Sequence, residues 1–79
     1  MRVSATPEAN RQIADLTGFD IDLHLELIAV LGSLTSYPAV VGTVTAGDDG
    51  IMRLVSGEWR GMFRVDQNEL TVTTVRYRP

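Results

Sequence analysis

The sequence predicts an α+β domain spanning residues 1–79: a short N-terminal strand, a two-helix hairpin, then an antiparallel β meander of three to four strands. Apolar residues recur at spacings of three and four up to residue 37, which is typical of amphipathic helices. After residue 38, short runs of β-branched residues alternate with turn-forming residues, which is typical of strands. Helices that precede such a run of strands are expected to pack on one face of the sheet.

The first predicted helix follows a short segment, Met1–Ser4, that can pair as a strand at the edge of the sheet. Thr6 can cap this helix with its hydroxyl group, Pro7 suits the first helical position, and Glu8 favours the helix dipole. Gly18 is well placed to end the helix. The apolar residues that share one face of it are Ala9, Ile13 and Leu16.

A second helix is predicted to begin at Asp20 or Asp22, either of which can cap it. It ends at Tyr37-Pro38, because the residue before a proline is biased away from the helical conformation. Its apolar residues follow spacings of four and three and form a wide stripe, so we expect the helix to be buried on more than one side. These residues are Leu23, Leu27, Leu31 and Leu34, widened by Ile21, Leu25 and Ile28.

Four segments after the helices are predicted to be strands, and turn-forming residues separate them. The turns are predicted at residues 46–50, 56–57 and 66–69. The strands are Val40–Thr45, Ile51–Val55, Glu58–Val65 and Leu70–Tyr77.

A two-residue turn at Gln67-Asn68 would fix the pairing of the last two strands. Trp59 and Phe63 would then face the core, while Arg60 and Arg64 would lie on the open face. The pairs expected from this turn are Val65 with Leu70, Phe63 with Val72, Gly61 with Thr74, and Trp59 with Arg76.

Charge is divided unevenly along the chain. The net charge of −3 argues against a protein that binds nucleic acid without specificity. However, residues 1–50 carry two arginines against seven acids, whereas residues 51–79 carry five arginines against three acids. All seven basic residues are arginines. The strand region is therefore basic, with side chains that suit planar, bidentate phosphate binding.

The sequence contains no motif typical of a metal or cofactor site. There is no cysteine for a disulfide or a thiolate zinc site, and there is no phosphate-binding glycine loop. We therefore expect no cofactor and no metal. No apolar run is long enough for a membrane helix, and the N-terminus lacks a signal-peptide layout, so we expect a cytoplasmic protein with no membrane partner.

The strand region resembles the RelE/ParE superfamily of small bacterial toxins from type II toxin–antitoxin systems. The most specific part of the resemblance is Gly57–Val65, with a glycine, an acid, an aromatic residue and an arginine entering a strand. Met52-Arg53-Leu54 fits the preceding family strand. Other matching segments are Val3–Ala9, which resembles the first strand and helix, Tyr37-Pro38, Leu70-Thr71-Val72 and Val75–Arg78.

The resemblance implies a metal-independent endoribonuclease that cleaves messenger RNA on the ribosome with a basic cluster. Arg60 corresponds to the arginine of the family strand, and Arg53 lies where a basic residue often precedes it. Tyr77 lies near the family's C-terminal tyrosine, although not at the matching position, and it completes the expected catalytic set. Three further arginines are expected to bind RNA: Arg64, Arg76 and Arg78. A cognate antitoxin protein is the expected partner.

Two other functions stay open on the sequence alone. The first is a ParE-like toxin that inhibits DNA gyrase without catalysis, because the chain has no lysine and no residue at the family's downstream catalytic positions. The second is a family member that acts only as a partner-binding module. Arg60 also has a structural alternative, in which it pairs with Asp66 or Glu58.

Overall fold

The computed structural model describes residues 1–18 and 20–79, and within these ranges five strands form one sheet beneath two α-helices. The strand order is β1-β5-β4-β3-β2, with β1 parallel to β5 and the other neighbours antiparallel. The elements are β1 (Arg2–Ala5), α1 (Pro7–Thr17), α2 (Ile21–Ser33), a 3₁₀ turn (Leu34–Ser36), β2 (Thr43–Ala46), β3 (Met52–Ser56), β4 (Trp59–Asp66) and β5 (Glu69–Tyr77).

The α+β fold predicted from the sequence is therefore confirmed, including the edge strand before the helices. The first strand of the meander begins at Thr43, three residues later than expected. No helix among the described residues is long and apolar enough to cross a membrane.

Both helices begin at the side chains that can cap them. The hydroxyl oxygen of Thr6 accepts a hydrogen bond from the Ala9 amide at 3.1 Å. The Asp20 carboxylate accepts from the amides of Asp22 and Leu23 at 3.0 and 3.2 Å, which makes Asp20 the cap of α2. The start of each helix thus follows directly from local sequence, because capping satisfies amides that no helical carbonyl can reach.

The core lies between the helices and the inner face of the sheet. Phe63, in the middle of β4, is buried and forms a T-shaped contact with the Tyr37 ring, with 5.6 Å between ring centroids. Trp59 is also buried, and its indole N–H donates to the Glu26 carboxylate at 3.3 Å. The buried residues are Ala9, Leu27, Val30, Leu34, Leu54, Trp59, Phe63, Leu70, Val72 and Val75.

Because β5 contains a bulge, two of the four residue pairs predicted between β4 and β5 differ in the structure. Val65 lies opposite Leu70 and Phe63 opposite Val72, as expected, but the register then shifts by one residue. Gly61 and Trp59 therefore pair with Val75 and Tyr77, and their predicted pairing with Thr74 and Arg76 is wrong. The shift has a physical reason: with one extra residue in β5, Val72 and Val75 both face the core, which strict alternation would forbid.

Beyond Ala5, β1 no longer covers the edge of β5, and a side chain from α1 takes over. The Gln12 side-chain oxygen accepts a hydrogen bond from the Val75 amide at 2.8 Å. This contact satisfies a backbone donor that would otherwise be unpaired at the sheet edge, and it fixes α1 against β5.

The prediction that α2 is buried on more than one side is wrong for this chain. Its inner face, with Leu27 and Val30, packs on the core, but Ile21, Leu25 and Ile28 are 68%, 58% and 53% exposed. The reason is that the sheet covers one side of α2 and no described element lies against the opposite side.

We expect replacement of the α1 cap, Thr6→Ala, to lower the free energy of unfolding by about 1 kcal/mol, because the Ala9 amide loses its acceptor. Urea denaturation would measure the change. Thr6→Ser keeps the hydroxyl group and should remain within about 0.5 kcal/mol of the wild type. An equal loss in both variants would contradict the capping role.

Candidate functional site

Arginines collect on the face of the sheet that points away from the helices. Leu54, Trp59 and Phe63 face the core, so the residues that alternate with them on β3 and β4 face outward. On this open face, Arg60 lies directly opposite Arg76 across the β4–β5 pair. Like charges in directly opposed positions destabilise a sheet, so this arrangement is unfavourable in the absence of a bound anion.

Four arginines line one shallow depression of about 260 Å³ on the open face. The open face supplies an apolar floor between them, formed by Val55 and Met62, with Thr74 beside it. A concave surface lined by charges of one sign concentrates the potential and attracts oppositely charged ligands. We call this surface the arginine depression; its arginines are Arg53, Arg60, Arg76 and Arg78.

Arg60 is held by backbone carbonyl groups. One terminal guanidinium nitrogen donates to the carbonyls of Gly57 at 2.6 Å and Trp59 at 2.9 Å. Gly57 adopts a φ of +57°, which favours glycine in the turn that presents these carbonyls. No described carboxylate lies within salt-bridge distance of Arg60, so the alternative pairing with Asp66 or Glu58 does not form. Its remaining N–H groups can bind a ligand.

Arg53 is positioned by the turn before β3. Its guanidinium group forms a salt bridge with Asp49 at 3.2 Å and donates to the Ile51 carbonyl at 3.3 Å. The Ile51 amide, followed by the Arg53 guanidinium, holds the pKa of the Asp49 carboxyl below its usual range. Arg53 therefore carries a partly compensated charge at the rim of the depression.

Of the expected RNA-binding arginines, Arg76 and Arg78 line the depression, whereas Arg64 does not. The Arg78 amide donates to the Glu58 carbonyl at 2.7 Å, which ties the end of the chain to the β3–β4 turn. Arg64 lies on the same open face, farther along β4 and opposite Thr71. The structure thus brings together four of the five arginines singled out in the sequence.

Tyr77 lies on the other side of the sheet, which corrects its expected grouping with Arg53 and Arg60. It pairs with Trp59, and the two ring centroids are 4.9 Å apart on the helix side. The cause is strand alternation: Tyr77 follows Val75 on the core-facing side. Burial raises the pKa of Tyr77 above 10.0, and the nearby carboxylates of Glu58, Glu26 and Asp20 raise it further.

The residues that line the arginine depression include no histidine and no carboxylate. His24 lies on α2, on the opposite side of the sheet. In the described part of the chain, no group of three or more histidine, cysteine, aspartate or glutamate side chains could hold a metal ion. The site can therefore bind an anion and stabilise negative charge, but its own lining residues cannot accept a proton at neutral pH.

Solved structures of toxins share the architecture of this chain. No protein-family model and no curated protein sequence matches it. The YoeB/ParE toxin from Agrobacterium tumefaciens superposes with a TM-score of 0.79 at 17% identity, covering 100% of both chains. The RelBE2 toxin–antitoxin complex from Mycobacterium tuberculosis gives 0.73 at 22% identity, covering 98% of this chain and 90% of the other. This chain has the RelE/ParE toxin fold.

A third structure with the RelE/ParE toxin fold is that of the chromosomal ParDE system from P. aeruginosa, at a TM-score of 0.68 and 13% identity, covering 100% of this chain and 97% of the other. At these identities the likeness establishes the fold, and the resemblance seen at Gly57–Val65 is confirmed at that level. The RelE/ParE toxin fold is shared by structures of RelBE2, YoeB and ParDE toxins, so the fold alone does not determine the activity of this chain.

The environment of Tyr77 can be tested by ultraviolet titration in a Tyr37→Phe background, where Tyr77 is the remaining tyrosine. We expect its phenol to titrate above pH 10, and Glu58→Gln to lower that pKa, because one neighbouring negative charge is removed. Because the folded state keeps the phenol proton of Tyr77 to a higher pH than the unfolded state does, the free energy of unfolding should fall as the pH rises above 10. Glu8→Gln, at the start of α1, is the control and should leave the titration unchanged.

Proposed function

We propose that this chain is the toxin of a type II toxin–antitoxin system, and that its arginine depression binds the phosphodiester backbone of messenger RNA on the ribosome and promotes cleavage. The observation that carries the proposal is the convergence of Arg53, Arg60, Arg76 and Arg78 on one concave surface. Planar guanidinium groups donate two hydrogen bonds to a phosphate, which makes arginine suited to this task. The RelE/ParE toxin fold supports it independently.

The proposed reaction is attack of a ribose 2′-oxygen on the adjacent phosphorus atom. The bond from phosphorus to the 5′-oxygen breaks and leaves a 2′,3′-cyclic phosphate, and a water molecule protonates the leaving oxygen to give a 5′-hydroxyl group. Arg60 and Arg76 donate to the non-bridging oxygens and stabilise the charge that builds on them in the transition state. Arg60 is suited to this role because the Gly57 and Trp59 carbonyls already fix its position.

The 2′-hydroxyl group must also lose a proton, and the lining residues of the depression offer no base for it. In our proposal a group of the ribosome or a solvent molecule takes this proton. The purified chain should accordingly bind RNA in a salt-sensitive way but cleave it only when ribosomes are present.

The proposal includes an antitoxin that covers the arginine depression with acidic residues. The RelBE2 neighbour was solved as a complex of toxin and antitoxin, which supports a partner of this kind. An extended or helical acidic segment would satisfy the guanidinium donors and relieve the repulsion between Arg60 and Arg76. Such a segment would compete directly with RNA for the depression.

The decisive substitution is Arg60→Ala. Induced expression of the wild-type chain alone should arrest growth, and primer extension should show messenger RNA ends inside translated reading frames. Arg60→Ala should reduce cleavage roughly a hundredfold or more, because a positioned donor to the developing charge is lost. It should also lower the slope of RNA affinity against salt concentration by about one phosphate contact.

Arg11→Ala provides the matched control, since Arg11 is an exposed arginine on α1, on the helix side of the sheet. It should leave growth arrest and cleavage unchanged. Circular dichroism of both variants would establish that they are folded. Undiminished cleavage by a folded Arg60→Ala variant would refute the assignment.

The second candidate is a ParE-like toxin that inhibits DNA gyrase and catalyses nothing. The absence of a base among the lining residues of the depression favours it, and so does the position of Tyr77 on the other face. Growth arrest with intact messages, a DNA-damage response and inhibited gyrase supercoiling would establish this function in place of RNA cleavage. No arrest at all would leave a chain that only binds a partner protein.

A further inference from the structure

The outward side of α2 carries a continuous apolar surface on the side of the molecule opposite the arginine depression. Ile21, Leu25 and Ile28 follow helical spacings of four and three, and each is more than half exposed. Ala29 and Gly32 extend the same side with small residues, and a side chain at Gly32 would meet no atom within 4 Å. We call these five residues the α2 stripe. Contiguous exposed apolar surface of this kind marks interaction sites.

One flank of the α2 stripe is acidic. On α2, Asp22 and Glu26 lie next to each other at a spacing of four, beside the stripe. Glu26 is held in place by the indole N–H of Trp59 at 3.3 Å. Asp20 and Glu58 extend this acidic flank, since both lie close enough to Tyr77, together with Glu26, to raise the pKa of its phenol. The acids therefore come from α2 and from the β3–β4 turn.

The other flank of the stripe carries no acid. Helical periodicity places His24 and Leu31 there, three residues before Leu27 and three after Ile28. No arginine of the described chain belongs to α2 or to the 3₁₀ turn that follows it. The surface is therefore an apolar strip with negative charge along one side, and this asymmetry determines what can pack on it.

We propose that the α2 stripe binds an amphipathic helix of a partner protein, one that carries lysine or arginine along one side of its apolar face. Packing a helix on the stripe would bury Ile21, Leu25 and Ile28, and the small residues Ala29 and Gly32 would allow close approach. Basic residues on the matching side would lie against Asp22, Glu26 and Glu58, which fixes the orientation of the partner helix.

Charge favours this partner over a second copy of the chain. In an antiparallel pairing of two α2 stripes, the two acidic flanks would lie on the same side of the interface and repel each other. The chain also carries a net charge of −3, so self-association brings like charges together. A basic partner helix meets neither obstacle.

This interaction does not depend on the chemistry of the arginine depression. The α2 stripe lies on the other side of the sheet. Its proposed partner is basic, whereas a partner that covers the arginines would be acidic. The interaction would therefore stand if the chain proved to be a gyrase inhibitor or an inactive toxin, and its test does not measure toxicity.

The test is an NMR titration of the full chain with two designed helical peptides of about 20 residues, a length at which helices persist. Both carry leucines at spacings of three and four; one has lysines along one side of them, and the other has glutamates at the same positions. We expect the lysine peptide to bind at least about tenfold more tightly and to shift amide signals of residues 21–32. Added salt should reduce the difference in affinity between the two peptides, because it screens the charges.

Leu25→Asp should weaken binding of the lysine peptide at least about tenfold, because it places a charge in the centre of the apolar contact. Val65→Asp is the matched control, since Val65 is an exposed valine at the far end of β4 and should leave binding unchanged. Equal affinity for both peptides, or shifts that leave residues 21–32 unaffected, would overturn the proposal. So would dimerisation in light scattering that Leu25→Asp abolishes while neither peptide binds, because the stripe would then belong to a second copy.

Discussion

The extra residue in β5 determines which side chains meet on both faces of the sheet. Because the register shifts between Phe63 and Met62, Val72 and Val75 both enter the core. The same shift turns Arg76 outward, opposite Arg60, and places Tyr77 against Trp59. Without it, Arg76 would lie opposite Trp59 on the core-facing side and would not join the other arginines of the depression. The arginine depression exists because the core requires two valines separated by two threonines.

The sheet also separates charge into two surfaces of opposite sign. Acids from α2 and the β3–β4 turn surround Tyr77 on the helix side, whereas four arginines line the depression on the other. Arg76 and Arg78 border both surfaces, because they also line a groove with Asp15 and Tyr77 at the end of β5. The net charge of −3 therefore describes neither surface, and a chain that is acidic overall can still present a surface lined by arginines.

Local chemistry allowed much of the fold to be predicted from sequence. Thr6 and Asp20 act as caps through their own hydrogen bonds, and the alternation from Trp59 to Phe63 places Arg60 outward. Non-local effects could not be predicted. The pairing of β4 with β5 beyond Val72 depends on which side chains of β5 pack against the helices. The burial of α2 depends on how many elements surround it. The Val-Thr-Thr-Val run, which breaks strict alternation, was the available signal for the bulge.

The arginine depression lowers the free energy of unfolding of this small domain. Short domains have little stability in reserve, and directly opposed arginines reduce it further. Backbone carbonyls of Gly57 and Trp59 offset part of the charge on Arg60, and Asp49 offsets part of that on Arg53. No described acid forms a salt bridge with Arg76. A bound phosphate or carboxylate would remove this repulsion, and any ligand that binds only the folded state stabilises it. Core packing thus sets the register that opposes Arg60 and Arg76, and the anion that we propose for this surface would offset the repulsion that this register leaves.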